Sequence, residues 1–190
     1  MDDPFKHVRR RSRQNIDALS RAVRVIFGLG DDDRVALIPL LEFGIDAILD
    51  DFQLEILPDA ELQGYEGLTD LTRPIIRLPE QVYNRLRNSC THARFTAAHE
   101  LGHLFMHSGD SVHYARTKQA DETTDPEWQA NQFAACFLMP EAGFRKCATV
   151  EEAMVKFGVG YRAANARAKS LGHKFRRLPK KRGHGMSRTP

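Results

Sequence analysis

The sequence predicts an α+β fold. Three short runs near the middle of the 190-residue chain, 52–57, 65–71 and 74–78, carry strand patterning, while apolar residues on either side of them recur at helical spacing. Two of the helical runs also carry side chains of the types that hold metal ions. A hydrophobic content of 42% is enough for one real core. No run reaches the roughly 18 apolar residues of a membrane span, and Asp2-Asp3-Pro4 is unlike a signal peptide, so a soluble cytoplasmic protein is expected. Three cysteines, Cys90, Cys136 and Cys147, fit reduced thiols better than a disulfide framework.

Residues 1–14 form a basic arm with Lys6, Arg9, Arg10, Arg11 and Arg13, expected to be solvated, with phosphate contact as the alternative. A helix over 15–28 follows from Ile16, Leu19, Val23, Ile26 and Phe27, with Gly28 and Gly30 ending it. A second helix should begin at Asp31-Asp32-Asp33, whose charges suit a helix N-terminus, and run through Leu37, Leu40 and Leu41, with Pro39 as its weak point. The alternating run 52–57 ends at Pro58, and 65–71 and 74–78 flank a short Thr72-Arg73 turn. Pro79-Glu80 opens a helix through Val82, Tyr83 and Leu86.

The next helix carries His99-Glu100-Leu101-Gly102-His103. Residues four apart lie about 40° apart around a helix and roughly 6 Å apart along it, so both imidazoles lean over one face. Two neutral imidazoles and a carboxylate suit zinc, with manganese as the alternative ion, and a catalytic site keeps a fourth position for water. Glu100 points about 100° away, placed to take a proton from that water. Such a five-residue match also arises by chance, but Phe95, Ala98, Leu101, Leu104 and Phe105 put this one on a helix with a core-facing side. Gly102 in mid-helix costs about 1 kcal/mol against Ala, which implies that something packs closely there.

Asp125 and Pro126 open a further helix that Pro140 closes, with Ala130, Phe133, Ala134, Phe137 and Leu138 on its buried side. Glu127 and Asn131 share another face. Glu127 is the candidate third ligand, and Asn131 would orient a ligating histidine through its second ring nitrogen. Without the upstream motif, Glu127 would be read as a solvated residue on an ordinary core helix. His107, one step beyond His103, is not the third ligand, because an i, i+4, i+8 set advances about 12 Å along a straight helix. It is expected to be a hydrogen-bonded or packing residue near the site.

The runs Arg94-Phe-Thr-Ala-Ala-His-Glu-Leu-Gly-His-Leu-Phe-Met-His107 and Glu127-Trp-Gln-Ala-Asn-Gln-Phe-Ala-Ala-Cys-Phe-Leu-Met-Pro140 resemble the ImmA/IrrE family of bacterial zinc metallopeptidases. The resemblance covers roughly 35–172. It implies a small twisted sheet of three or slightly more strands packed on the motif helix, with helices propping it and a helical C-terminal cap. It implies zinc on His99, His103 and Glu127, with Glu100 catalytic. It also implies a substrate or partner among Xre-type helix-turn-helix repressors or antitoxins, expected as a separate protein because no convincing Xre-type domain precedes the sheet. In such enzymes an edge strand lines the cleft and pairs with an extended substrate; 65–69 or 75–78 would serve.

Residues 108–124 read as a polar, mobile loop bordering the cleft. His113, Tyr114, Tyr65, Tyr83 and Arg94 are candidate donors to the oxyanion of a tetrahedral intermediate, and the substrate-binding residues stay unassigned. With the core taken as 15–147, short helices over 141–147, 150–157 and 161–171 lead into a cap at 148–172. The turn Phe157-Gly-Val-Gly-Tyr161 looks like that of a helix-turn-helix, followed by Arg162, Asn165, Arg167 and Lys169. No acidic residue follows Glu152, so a net charge of +3 hides a basic tail over 173–190, expected to be disordered, with weak DNA contact as the alternative. Two function classes result. One is a zinc endopeptidase for a regulatory protein; the other is a toxin or transcription-regulating binding module whose metal is structural or vestigial.

Overall fold

A computed structural model describes residues 6–107, 113–114 and 122–176. The first element, β1 (Lys6–His7), pairs antiparallel with a strand at 113–114. The chain then stays bonded to the body of the protein: Val8 N–H donates to Thr124 O at 3.1 Å and Arg11 N–H to Thr123 O at 3.0 Å. Where a solvated arm was expected, residues 8–11 are stitched down by their backbone. Helix α1 (Arg13–Ile26) starts two residues before its expected start because Ser12 caps it, its Oγ accepting from Asn15 N–H at 3.2 Å while Asn15 Oδ1 accepts from Ser12 N–H at 3.2 Å.

Asp31–Asp33 do not open a helix. The buried Arg24 guanidinium donates to the carbonyls of Gly30 and Asp33, and Asp32 is drawn to Lys146 at 2.5 Å and Lys156 at 2.6 Å. Those bonds hold a turn, so helix α2 (Leu37–Pro39) begins later and loosens beyond Pro39 into one π-type turn over Leu40–Gly44.

The sheet contains β2 (Gln53–Leu57), β3 (Leu68–Asp70) and β4 (Ile75–Pro79) in the order β2-β4-β3. β2 runs parallel to β4 and β3 antiparallel to it, with Leu54 and Thr69 both opposite Ile76. β4 is paired on both sides and is nearly all buried, so 75–78 is no edge; β3 is one. β3 is shorter than the 65–71 run because Asp70 Oδ1 accepts from Thr72 N–H at 2.9 Å and from Arg73 N–H at 3.3 Å, turning the chain.

Helix α3 (Glu80–Arg87) leads to α4 (Thr91–His107), which lies under β3 and crosses α5 (Pro126–Leu138). Ala93, Ala97, Ala98, Leu101 and Leu104 of α4 meet Phe133, Ala134 and Phe137 of α5 in the main core. Gly102 sits at the crossing, where a Cβ would lie 3.0 Å from Ala130 Cα and 3.1 Å from its carbonyl oxygen. Two small residues thus bring the motif helices together. Strand β5 (His113–Tyr114) and a 3-10 turn (Glu122–Thr124) lie between α4 and α5.

Helix α6 (Glu141–Phe144) stops short of the expected 147; α7 (Val150–Phe157) and α8 (Tyr161–Leu171) follow, closed by Gly158 and Gly172 in left-handed conformation. Buried arginines fasten this end. Arg94 on α4 donates to Gly158 O at 2.9 Å, Val35 O at 3.0 Å and Phe157 O at 3.3 Å; Arg167 on α8 donates to Met139 O at 3.0 Å. Residues 173–176 continue against the body, with Arg176 N–H donating to Ala148 O at 2.7 Å, and the rest of the expected tail lies outside the described residues. Among the described residues no helix is long and apolar enough to cross a membrane.

Candidate metal centre

One helical turn sets His99 and His103 side by side, their Nε2 atoms 3.0 Å apart. Glu127, in the first turn of α5, closes the triangle: its Oε2 is 3.2 Å from His99 Nε2 and its Oε1 is 3.3 Å from His103 Nε2. Asp125 sets that turn by accepting from Glu127 N–H at 2.9 Å. Ligands about 2.0 to 2.1 Å from a tetrahedral zinc are separated by about 3.3 Å, so the distances between the two nitrogens and from each nitrogen to its nearer carboxylate oxygen are of the size such an ion spans. Among the described residues His99, His103 and Glu127 are the group that offers three donors together. The donor set itself is the chemistry: hydrogen bonds from His103 and His99 hold the Glu127 carboxyl well below the usual carboxylate range, although burial pushes the other way. Burial opposes protonation of His99, but the hydrogen bond and charge of Glu127, with Glu100 between them in weight, prevail and raise its pKa. A site that draws protons in this way also draws a cation.

The outer nitrogens are held as well. His99 Nδ1 is 3.1 Å from Asn131 Oδ1, so of the two histidines Asn131 contacts His99. His103 Nδ1 is 3.2 Å from His107 Nδ1, and His107 Nε2 is 3.0 Å from Gln129 Oε1. Gln129 escaped the sequence reading. Its signal was a polar side chain four residues before Phe133 on the buried stripe of α5.

Glu100 turns the other way, towards the sheet. Thr69 on β3 donates its hydroxyl to Glu100 Oε2 at 2.7 Å, and at Gly67 a Cβ would lie 2.7 Å from both Cγ and Oε1 of Glu100. Burial pushes the Glu100 carboxyl up, partly offset by the Thr69 hydrogen bond. Neither Thr69 nor Gly67 was singled out from sequence, since nothing local links them to a residue on α4.

A cleft of about 520 Å³ opens over the triangle, between β3 and the exposed faces of α4 and α5. Of the candidate oxyanion donors, Tyr65 lines this cleft and is exposed. Arg94 is buried beneath it with its guanidinium on three carbonyls, and the Tyr83 hydroxyl bonds Glu42. Both are removed from that role by these partners. The side chains of His113 and Tyr114, and most of the 108–124 loop, lie outside the described residues. On the rim His92 Nε2 is 2.6 Å from Glu66 Oε2, a pair the sequence did not announce. Cys90 stands outside the ligand group, and burial pushes the Cys136 thiol up to about 11.

A Mycobacterium tuberculosis transcriptional regulator has a similar fold, with a TM-score of 0.54 and 17% identity over 90% of this chain and 49% of that one. This chain therefore spans about half the length of that structure. No match is found among curated proteins. Residues 63–169, from the turn before β3 to near the end of α8, match the Peptidase M78 family, described as the IrrE N-terminal-like domain. With over half its length inside that match and both motif helices within it, this chain belongs to the Peptidase M78 family, the IrrE N-terminal-like domain.

Proposed function

We propose that the protein is a zinc-dependent endopeptidase that cuts one peptide bond in a regulatory protein, an Xre-type repressor or antitoxin. The observation that carries this is the compact His99, His103 and Glu127 triangle with the buried Glu100 beside it on the floor of a cleft. Zinc bound there would polarise the scissile carbonyl and acidify a water molecule. Glu100 takes a proton from the attacking water and delivers it to the leaving amide nitrogen. Its raised pKa suits the second half of that task, because a carboxyl that holds its proton can carry it to the nitrogen. Thr69 fixes the carboxylate by its hydroxyl. The substrate lies extended along the free edge of β3 and adds a strand to the sheet, which brings its backbone over the triangle.

The binding-module alternative draws less support. Arg167, one of the four polar residues of α8 that would face DNA, is buried against Met139 O. The deciding experiment incubates the zinc-loaded protein with the repressor encoded beside it and maps fragments by mass spectrometry. Wild type yields one cut that a chelator abolishes and Glu100→Gln abolishes with zinc retained. A Glu100→Gln variant that still cuts removes the general-base role.

A further inference from the structure

We infer that the groove between α4 and α8 is a specificity site: it takes a large apolar side chain of the substrate, leucine or phenylalanine in kind, about two residues from the scissile bond. The inference deepens the endopeptidase reading above and rests on it for the identity of the occupant, because the groove opens from the metal cleft.

Three hollows meet at one side chain. Phe95, half-buried on α4, lines the cleft over the metal triangle, a cavity of about 490 Å³ between α4 and α8, and a smaller one of about 170 Å³ between α8 and α5. His92 lines the first and second, Asn131 the first and third, and Ala163 and Ala166 the second and third. Together they form one trough that leaves the cleft past Phe95. The sequence of α8 makes it hollow. Gly160, just before the helix, comes so close to α4 that a Cβ there would lie 3.3 Å from Thr91 Oγ1. Beyond that pinch α8 offers only the methyl groups of Ala163 and Ala166, so the space in front of Phe95 stays open. The helix is not free to close it, because Arg167 donates to Met139 O at 3.0 Å while Ala164 and Ala168 are buried in the core. A preformed hollow of this size lies within the range of ligand sites, about 300 to 1,000 Å³.

Position selects the occupant. Glu66 touches His92 and Thr69 touches Glu100, so β3 and α4 run side by side in the same sense, and a chain laid along β3 passes over Phe95. Phe95 precedes His99 by one helical turn, roughly 6 Å along the axis. An extended chain advances about 3.3 Å per residue, so a substrate with its scissile carbonyl over the triangle brings the side chain about two residues away to the mouth of the groove. The free edge of β3 can bond any backbone; the groove adds a preference among side chains. Its lining of Phe95, Ala163 and Ala166, with the exposed ring of Tyr161 at the outer end, suits an apolar one.

Two measurements test this. In the first, the full chain with ¹³C-labelled alanine methyls is titrated with the blocked peptide Ac-Ala-Leu-Phe-Ala-amide and, separately, with its all-alanine counterpart. The methyl signals of Ala163 and Ala166 should shift saturably with the first peptide and stay still with the second. Equal responses to both, or none to either, overturn the inference, as do shifts that appear on concentrating the protein alone, which would assign the groove to a second copy. In the second, Ala166→Trp fills the trough from an exposed position, and Val155→Trp adds the same ring on α7 outside it. Cleavage of the regulatory protein, as kcat/KM, should fall about 10-fold or more in Ala166→Trp, the scale of one large apolar side chain left in water, and little in Val155→Trp. The mapped cut should have a large apolar residue about two positions away. Ala166→Trp cutting as fast as wild type overturns the inference even if cleavage itself is confirmed. If wild type cuts nothing, the endopeptidase reading fails, while the methyl titration still decides whether the groove binds apolar side chains.

Discussion

The hydroxyl of Thr69 on β3 donates to Oε2 of Glu100 on α4 at 2.7 Å, so the edge strand of the sheet holds the buried carboxylate beside the candidate metal centre. Thr69→Val keeps the shape and removes this bond. Cleavage should slow by about 10-fold, the scale of a lost charge-assisted hydrogen bond of about 1.5 kcal/mol, with zinc content unchanged. Single-turnover kinetics beside metal analysis checks it.

Glu100 also governs a pH effect. Burial raises its folded-state pKa above the ordinary carboxyl value, so folding favours its protonated form. Stability of the metal-free protein is then highest below the unfolded pKa and falls as pH rises from there through the folded pKa. Glu100→Gln, neutral at all pH, should match wild type at pH 4 and melt higher at pH 8. Equal melting temperatures at pH 8 would show that the carboxylate is not penalised by burial.

Gly67 leaves no room for a side chain against Glu100, since a Cβ would meet its carboxylate carbon at 2.9 Å. Gly67→Ala must push either the strand or the glutamate aside. Cleavage should drop by about 100-fold, in line with small misplacements of a catalytic group, while zinc affinity stays within a few-fold. Measuring both quantities separates this from a general loss of fold.

Glu127→Ala should remove stoichiometric zinc binding and all cleavage, because two imidazoles alone leave the ion without its charged ligand. Acidification should release zinc from wild type as the imidazoles protonate, at about pH 5 to 6. Equilibrium dialysis across pH follows the release.

Arg94→Met tests a structural role. The guanidinium satisfies three buried carbonyls from two separate segments, and burial holds its pKa down to about 10. Its loss should cost about 2 to 4 kcal/mol by denaturant titration, with the turnover of folded protein preserved. A fall in turnover without a fall in stability would restore Arg94 to the chemistry.

Much of this molecule was legible in the chain itself, because some features depend only on neighbours along it. The helical spacing that puts His99 and His103 on one face, the Asp125 cap that starts α5 one residue before Glu127, and the left-handed Gly158 and Gly172 that end α7 and α8 are local properties. Tertiary structure decided what depends on distant partners. Asp31–Asp33 stay out of a helix because Arg24 captures the surrounding carbonyls, and β3 rather than β4 is an edge because β2 crosses to pair with β4 in parallel. The polar row from His103 through His107 and Gln129 to Arg9 joins residues more than ninety positions apart. Short-range propensity carries no trace of such a contact, since its free energy arises only once the core has closed around the groups and brought them within reach of one another.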